Sequence, residues 1–196
     1  MLIEYGAAAV IGYLLGSVPF SALVARAHGV DLQQTSDGNP GAWNALEQLG
    51  AGRAWPAFAG DGLKGTLAGF AGLGLAGTWG AYVAVGAAML GHAFPLFARF
   101  RGGKAVMTFV GGGFAFAPAA AAIALGVCVL TTLAARSFAV GARVGVFSFP
   151  LIQLVLDPAV RVAATGLLMT LIGLLFFLKG DRSARASSGS AATPTS

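Results

Sequence analysis

Apolar residues in this chain arrive in long runs, and the polar residues are gathered between them. Runs at residues 3–25, 54–76, 79–97, 138–156 and 160–178 each approach or exceed the roughly 17–25 residues that a helix needs to cross a bilayer. A sixth run covers residues 126–135 with its upstream extension. The whole stretch from 105 to 135 is 31 residues, too long for one comfortable crossing, and Pro118 divides it. Proline lacks the N–H that a continuing helix would use, so a short helix over 105–117 followed by a second one is expected. The pattern predicts an all-α, polytopic integral membrane protein with about seven transmembrane helices. Residues 1–182 form one transmembrane domain on this reading, and 183–196 a disordered polar tail rich in Ser, Ala and Thr, unable to bury apolar area.

Basic residues orient these helices. With the ends of helices one, three, five and seven on one side, that side holds Arg26, Arg53, Arg99, Arg101, Lys104, Arg136, Arg143, Lys179, Arg182 and Arg185. The other side holds only Arg161, and Lys64 lies within a span. Cytoplasmic loops carry the excess of Lys and Arg, so the N-terminus is expected outside and the C-terminus in the cytoplasm. The first span has no basic segment before it and Glu4 precedes the apolar run, so it reads as a retained helix.

Composition supports the membrane assignment. Charged residues make up 10% of the chain, against about a quarter in a soluble domain, and mean hydropathy is +0.79. The net charge of +5 is mostly the one-sided bias, so it does not point to nucleic acid. The single cysteine, Cys128, excludes an intramolecular disulfide and reads as a packing residue. Glycines fall within the spans, as in Gly12-x3-Gly16, Gly69-x-x-Gly72-x-Gly74 and Gly111–Gly113, where small residues let helices approach closely. Gly111–Gly113 could alternatively loosen its short helix.

Three polar segments could carry chemistry. Residues 31–50 (DLQQTSDGNPGAWNALEQLG) contain a turn signal at Ser36–Gly41, then a short helix over 42–49 stopped by Gly50. Asp61 and Lys64 are three apart and share a helix face, as an internal ion pair or a substrate contact. Residues 91–104 (GHAFPLFARFRGGK) place His92, Arg99, Arg101 and Lys104 beside hydrocarbon. Polar groups there are costly and ask for a reason. Gly102-Gly103-Lys104 opening a helix would turn backbone N–H groups and a cation onto an anion, a phosphate being the natural one. His92 reads as a packing residue or a base. A nucleotide-binding P-loop is excluded by Ala98 and Ala105 at positions that need Gly and Ser or Thr. Neither histidine has an acid five residues on, and no G-x-S-x-G elbow occurs.

Together, Gly12–Phe20 (GYLLGSVPF), Gly38–Asn44 (GNPGAWN), Asp61–Gly65 (DGLKG) and residues 91–104 resemble the bacterial acyl-phosphate:glycerol-3-phosphate acyltransferases (PlsY) over about residues 10–145. That resemblance implies seven spans, an outward N-terminus and transfer of an acyl group from acyl phosphate to the 1-hydroxyl of glycerol 3-phosphate, giving lysophosphatidic acid. It implies no metal, cofactor or covalent enzyme intermediate; the partners are these two substrates and membrane lipid. Carried over residue by residue, it gives substrate or phosphate contacts at Gly38, Asn39, Gly41, Asn44, Lys64, Gly102, Gly103 and Lys104. Catalytic roles fall to Lys104, His92 and Asp37, the last as a base toward the hydroxyl.

The chain departs from the family pattern at several of these places. Asp37 stands where the family has serine, Trp43 where it has threonine and Glu47 where it has arginine. Ala139 and Ala142 replace hydroxyls, Ala105 a glycine, and Asp181 and Ala184 a histidine and an asparagine. Two readings therefore stand open: a working acyltransferase, and an altered or inactive relative that binds lipid or phosphate ligands or partners another membrane protein. A small transporter is disfavoured by the lack of an internal repeat.

Overall fold

The computed structural model describes residues 1–36 and 38–180. Asp37, Asp181, Ala184 and the polar tail lie outside the described residues. Within them all regular structure is helical: α1 (Leu2–Gly16), α2 (Phe20–Ala27), α3 (Ala42–Leu49), α4 (Ala51–Ala93), α5 (Val106–Phe116), α6 (Pro118–Ala135), α7 (Phe138–Leu156) and α8 (Ala159–Gly180), with 3₁₀ turns at Leu32–Gln34 and Leu96–Ala98.

The expected run at 3–25 is not one helix. It breaks at Ser17–Pro19, because Pro19 cannot donate to the preceding turn, and α2 restarts at Phe20. Helix α4 looks continuous but is a hairpin. Ala76 and Gly77 leave helical geometry, with Gly77 at φ +63°. A Cβ built on Gly72 would lie 2.2 Å from the Gly80 carbonyl oxygen, and one on Gly69 3.2 Å from Val85. A straight helix would separate the first pair by about 12 Å at 1.5 Å per residue. The first arm covers the run expected at 54–76, and the second covers that at 79–97 only as far as Ala93, beyond which Pro95 and a 3₁₀ turn follow. Pro118 stands at the first position of α6, where its missing N–H costs nothing, so the division of 105–135 is observed.

Glycine supplies the closest contacts. A Cβ on Gly65 would sit 1.9 Å from the Thr108 carbonyl oxygen, and one on Gly111 1.9 Å from that of Gly62. Gly12 and Gly16 bring α1 equally close to Ala84 and Ala88. The glycines act in packing, as small residues do between membrane helices. The core at the α4–α5–α8 junction is filled by Met89, Phe109, Phe116 and Leu175. Outward faces are apolar too: Leu130, Leu133, Val155, Leu167 and Phe177 are exposed. Among the described residues, five segments are long and apolar enough to cross a membrane, one of them the α4 hairpin region, and α5 is a shorter apolar helix. The chain is an all-α, multi-pass integral membrane protein.

The helix contacts also sort the chain's two ends. Gly12 meets Ala84 and Gly16 meets Ala88, so α1 runs parallel to the second arm of α4. Tyr82 donates to the Arg161 carbonyl at 3.0 Å, and Arg161 donates to that of Phe116. The N-terminus, the α4 turn, the α5–α6 joint and Arg161 therefore share one end. His92, the glycine pair at 102–103 and Lys179 share the other.

Candidate active site

The site begins at the break between α1 and α2. Ending a helix leaves carbonyls without donors, and a restart at proline supplies none. The Val18 carbonyl accepts from the Phe20 N–H at 3.1 Å and from Lys64, which reaches it from α4 at 2.9 Å. One turn before Lys64, Asp61 receives three neighbours. The Lys64 ammonium lies 2.8 Å from Asp61 Oδ1, His92 Nδ1 is 3.5 Å from the same oxygen, and Ser21 donates to Oδ2 at 2.5 Å. All four side chains are at most 7% exposed. Charges buried this deeply persist only when paired and hydrogen-bonded.

The second wall is the end of α4. Its last carbonyls are each met by a donor from elsewhere. The His92 oxygen accepts from the Gly103 N–H at 3.1 Å, the Ala93 oxygen from Lys179 at 2.5 Å, and the Phe94 oxygen from the Tyr13 hydroxyl at 2.7 Å. Pro95 then starts a 3₁₀ turn, and Arg99 and Phe100 at positive φ reverse the chain. This returns Gly102 and Gly103 onto His92. A Cβ on Gly102 would be 1.9 Å from the His92 carbonyl oxygen, so only glycine fits there without moving backbone, and one on Gly103 would be 2.3 Å from His92 Nε2 and would displace the ring.

Between the walls is a small cleft lined by Val18, Ser21, Pro40, Asp61, Lys64, His92, Arg101 and the Gly102–Gly103 pair, among others. One carboxylate shares the cleft with an ammonium, which it pairs, and with the guanidinium of Arg101 on the lining, so the cleft is net cationic and suits an anion. A hydroxyl and an imidazole stand in the same space.

His92, Lys64, Gly102 and Gly103, singled out in the sequence, are thus brought together. Gly38, Asn39, Gly41 and Asn44 build the neighbouring loop. Buried Asn44 donates to the carbonyls of Leu32, Thr35 and Asn39 at 3.0, 3.2 and 3.0 Å and so holds that loop closed. The Gly41 N–H bonds the Asn39 carbonyl, and Gly38 turns at φ +68°, which places Pro40 on the cleft wall. Lys104 is half-buried with its ammonium 4.6 Å from the centre of the Phe176 ring on α8. The helix after the glycine pair starts at Val106, two residues beyond Lys104, because Ala105 takes a left-handed conformation at φ +61°.

Among the cleft's polar side chains, Ser21, Asp61 and Arg101 stand outside the site assigned from the sequence. Ser21 was visible only as a hydroxyl inside an apolar run. Arg101 read as an interfacial charge, and Asp61 as half of an ion pair. Trp43 and Glu47 face outward: the Trp43 ring N–H donates to Glu47 Oε1 at 2.9 Å, Ser36 donates to Oε2 at 3.2 Å, and Trp43 stacks on Phe138.

Comparison with known proteins adds to this geometry. Residues 6–184 match the model of the glycerol-3-phosphate acyltransferase family. The chain belongs to that family. A glycerol-3-phosphate acyltransferase of Bacillus cytotoxicus is 38% identical over 110 residues, 56% of each chain. That of Bacillus subtilis is 41% identical over 110 residues, 56% of this chain and 57% of its own. That of Rubrobacter xylanophilus is 40% identical over 109 residues, 55% of each. The matched region thus spans little more than half the length of these curated relatives. The fold extends further. The crystal structure of PlsY, an integral membrane glycerol 3-phosphate acyltransferase, in its glycerol 3-phosphate form gives a TM-score of 0.77 at 28% identity, covering 93% of this chain and 92% of that one. Its lysophosphatidic acid form gives 0.75 at the same identity and coverage.

Proposed function

We propose that this chain transfers an acyl group from acyl phosphate to the 1-hydroxyl of glycerol 3-phosphate, forming lysophosphatidic acid and inorganic phosphate in phospholipid synthesis at the bacterial inner membrane. The observation that carries this reading is the net-cationic cleft of buried Lys64 and His92, exposed Arg101 and the glycine pair, in a member of this family. The hydroxyl oxygen attacks the acyl carbonyl, the carbon–oxygen bond to phosphate breaks, and the phosphate leaves as an anion. Cations and backbone N–H groups fixed in a dry site stabilise that developing charge without reorganising. In this reading Lys104, next to the glycine pair, meets the phosphate of the incoming substrate. His92, with Nδ1 turned toward Asp61 and Nε2 against Gly103, or Asp37 in the adjoining loop, takes the hydroxyl proton. Gly38, Asn39, Gly41 and Asn44 shape the loop that closes over the substrates. The reaction needs no metal or cofactor, because acyl phosphate is already activated. The chain crosses the membrane seven times, with the N-terminus outside and the cleft at the cytoplasmic surface.

The test is direct. Purified protein in lipid, given acyl phosphate and labelled glycerol 3-phosphate, is expected to make labelled lysophosphatidic acid. Lys104→Ala should cut the rate at least about tenfold, the order expected for one charge-assisted contact. Product no greater than in a protein-free control overturns the reading.

One observation favours the alternative, a relative that binds these ligands without the chemistry. Trp43 and Glu47, where the family pattern has threonine and arginine, bond each other on the outer face of α3 rather than facing the cleft. Glycerol 3-phosphate bound without turnover, and turnover gained on Asp37→Ser with Glu47→Arg, would select it.

A further inference from the structure

We propose that Lys179, at the end of α8, is the positioning residue that fixes the phosphate-holding turn at Gly102–Gly103. This rests on the reading above for the purpose of the turn, and on geometry alone for its attachment.

The Lys179 ammonium reaches into the angle between α4 and the glycine turn. It donates to the carbonyls of Ala93, Gly102 and Gly103 at 2.5, 2.8 and 3.1 Å. Its side chain is 9% exposed, and the Phe94 ring centre lies 4.8 Å from the charge. An ammonium offers three donors about one point, which matches three carbonyls converging from two segments. Without the cation those oxygens would crowd one another, away from water, at a helix end that already carries partial negative charge.

The arrangement matters for an anion because of peptide geometry. In a trans peptide the C=O and the following N–H point in opposite directions. Drawing the Gly102 carbonyl to Lys179 fixes the Gly103 N–H, which donates to the His92 carbonyl. Drawing the Gly103 carbonyl to Lys179 fixes the Lys104 N–H on the side away from it. One cation thereby sets the orientation of the Lys104 N–H and the seating of Gly103 against the His92 ring. The glycines that make this approach possible also leave the turn with little stiffness of its own. The tether joins residues 76 or more apart in sequence, so α8 serves the site without lining it.

The experiment uses the full chain in lipid nanodiscs, with amide exchange read over residues 100–105 and over α6–α7. Binding of glycerol 3-phosphate and of inorganic phosphate is measured by titration. Lys179→Met is expected to speed exchange at the Gly103 amide at least about tenfold, the order of one lost charge-assisted bond, with α6–α7 unchanged. It should weaken glycerol 3-phosphate binding by a similar factor, raising KM more than it lowers kcat. Lys179→Arg keeps the charge and should recover most of both. If Lys179→Met does not fold, Lys179→Gln, which keeps donors but no charge, is expected to move both readouts the same way. Gly103 exchange and phosphate binding equal to wild type in a folded Met or Gln variant overturns the proposal. Equal loss in the Arg variant does so as well. The acyl-transfer reading is judged on wild-type turnover and the tether on mutant-to-wild-type ratios. A wild type that binds glycerol 3-phosphate without turnover sinks the first and leaves the second standing. A wild type that binds neither phosphate ligand overturns both.

Discussion

Asp61 sits among Lys64, Ser21 and His92 in a region with almost no exposed surface, and this makes single and double substitutions diverge. Lys64→Met removes the cation but leaves the carboxylate buried, and it removes one of the two donors to the Val18 carbonyl. Breaking a buried pair from one side costs about 3–5 kcal/mol, because the surviving charge is uncompensated. Asp61→Asn with Lys64→Met removes both charges and keeps a group that Ser21 can bond. The double variant is therefore expected to recover a large part of the single variant's loss. Thermal unfolding in detergent, followed by tryptophan fluorescence, measures both. Equal losses in the two variants would mean that the pair is not the energetic unit described. On the proposed function, neither variant should retain acyl transfer, since both remove the Lys64 charge from the cleft.

At the level of elements, the contact between α4 and α5 is set by what is missing from the side chains. Gly111→Ala would put a methyl 1.9 Å from the Gly62 carbonyl oxygen, so the two helices must part, and overpacking of this kind costs about 1–3 kcal/mol. Gly113, two residues on, has its nearest neighbour at 3.4 Å, an ordinary contact. There alanine should be neutral or stabilise by up to about 1 kcal/mol through helix propensity. Opposite signs for two Gly→Ala changes half a turn apart, read as melting temperatures, would separate close packing from a loosened helix; a gain for both would refute the close contact. Much at this scale was legible in the sequence. α3 at 42–49 with its Gly50 stop, α7 at 138–156 and the division at Pro118 all follow from local chemistry that composes residue by residue. The break at Ser17–Pro19 was hidden, because apolar residues continue on both sides of it. The meeting of Ser21, Asp61 and His92, and the bonds of Lys179 to residues 93, 102 and 103, were illegible for a different reason. They join residues far apart in sequence, and neither periodicity nor spacing encodes such pairings. Lys104 was expected at the anion. Its stacking on Phe176 depends on where α8 lies, which no local pattern states.

For the whole molecule, the helix contacts separate two ends, and charge then assigns them to the two sides of a membrane. The cleft end carries Arg26, Arg53, Arg99, Arg101, Lys104, Arg136, Arg143 and Lys179. At the other end the described residues include Arg161, and Asp157 beside it, 2.5 Å from its guanidinium, offsets that charge. Lys and Arg are retained on the cytoplasmic side, so the cleft is expected to open there and the N-terminus to lie outside. On the proposed function the assignment has a consequence, since a phosphate-bearing substrate made in the cell must reach the cleft without crossing hydrocarbon. Single cysteines test it in a Cys128→Ser background, where no native thiol competes. Gln48→Cys and Ala135→Cys are exposed positions at the cleft end, and Glu4→Cys and Ala159→Cys are exposed at the other. A membrane-impermeant maleimide added to intact cells should label the second pair and spare the first, and inverted vesicles should reverse this. The reverse pattern would place the cleft outside. Labelling of one member of each pair from the same side would break the grouping of ends itself, and with it the hairpin in α4 on which that grouping depends.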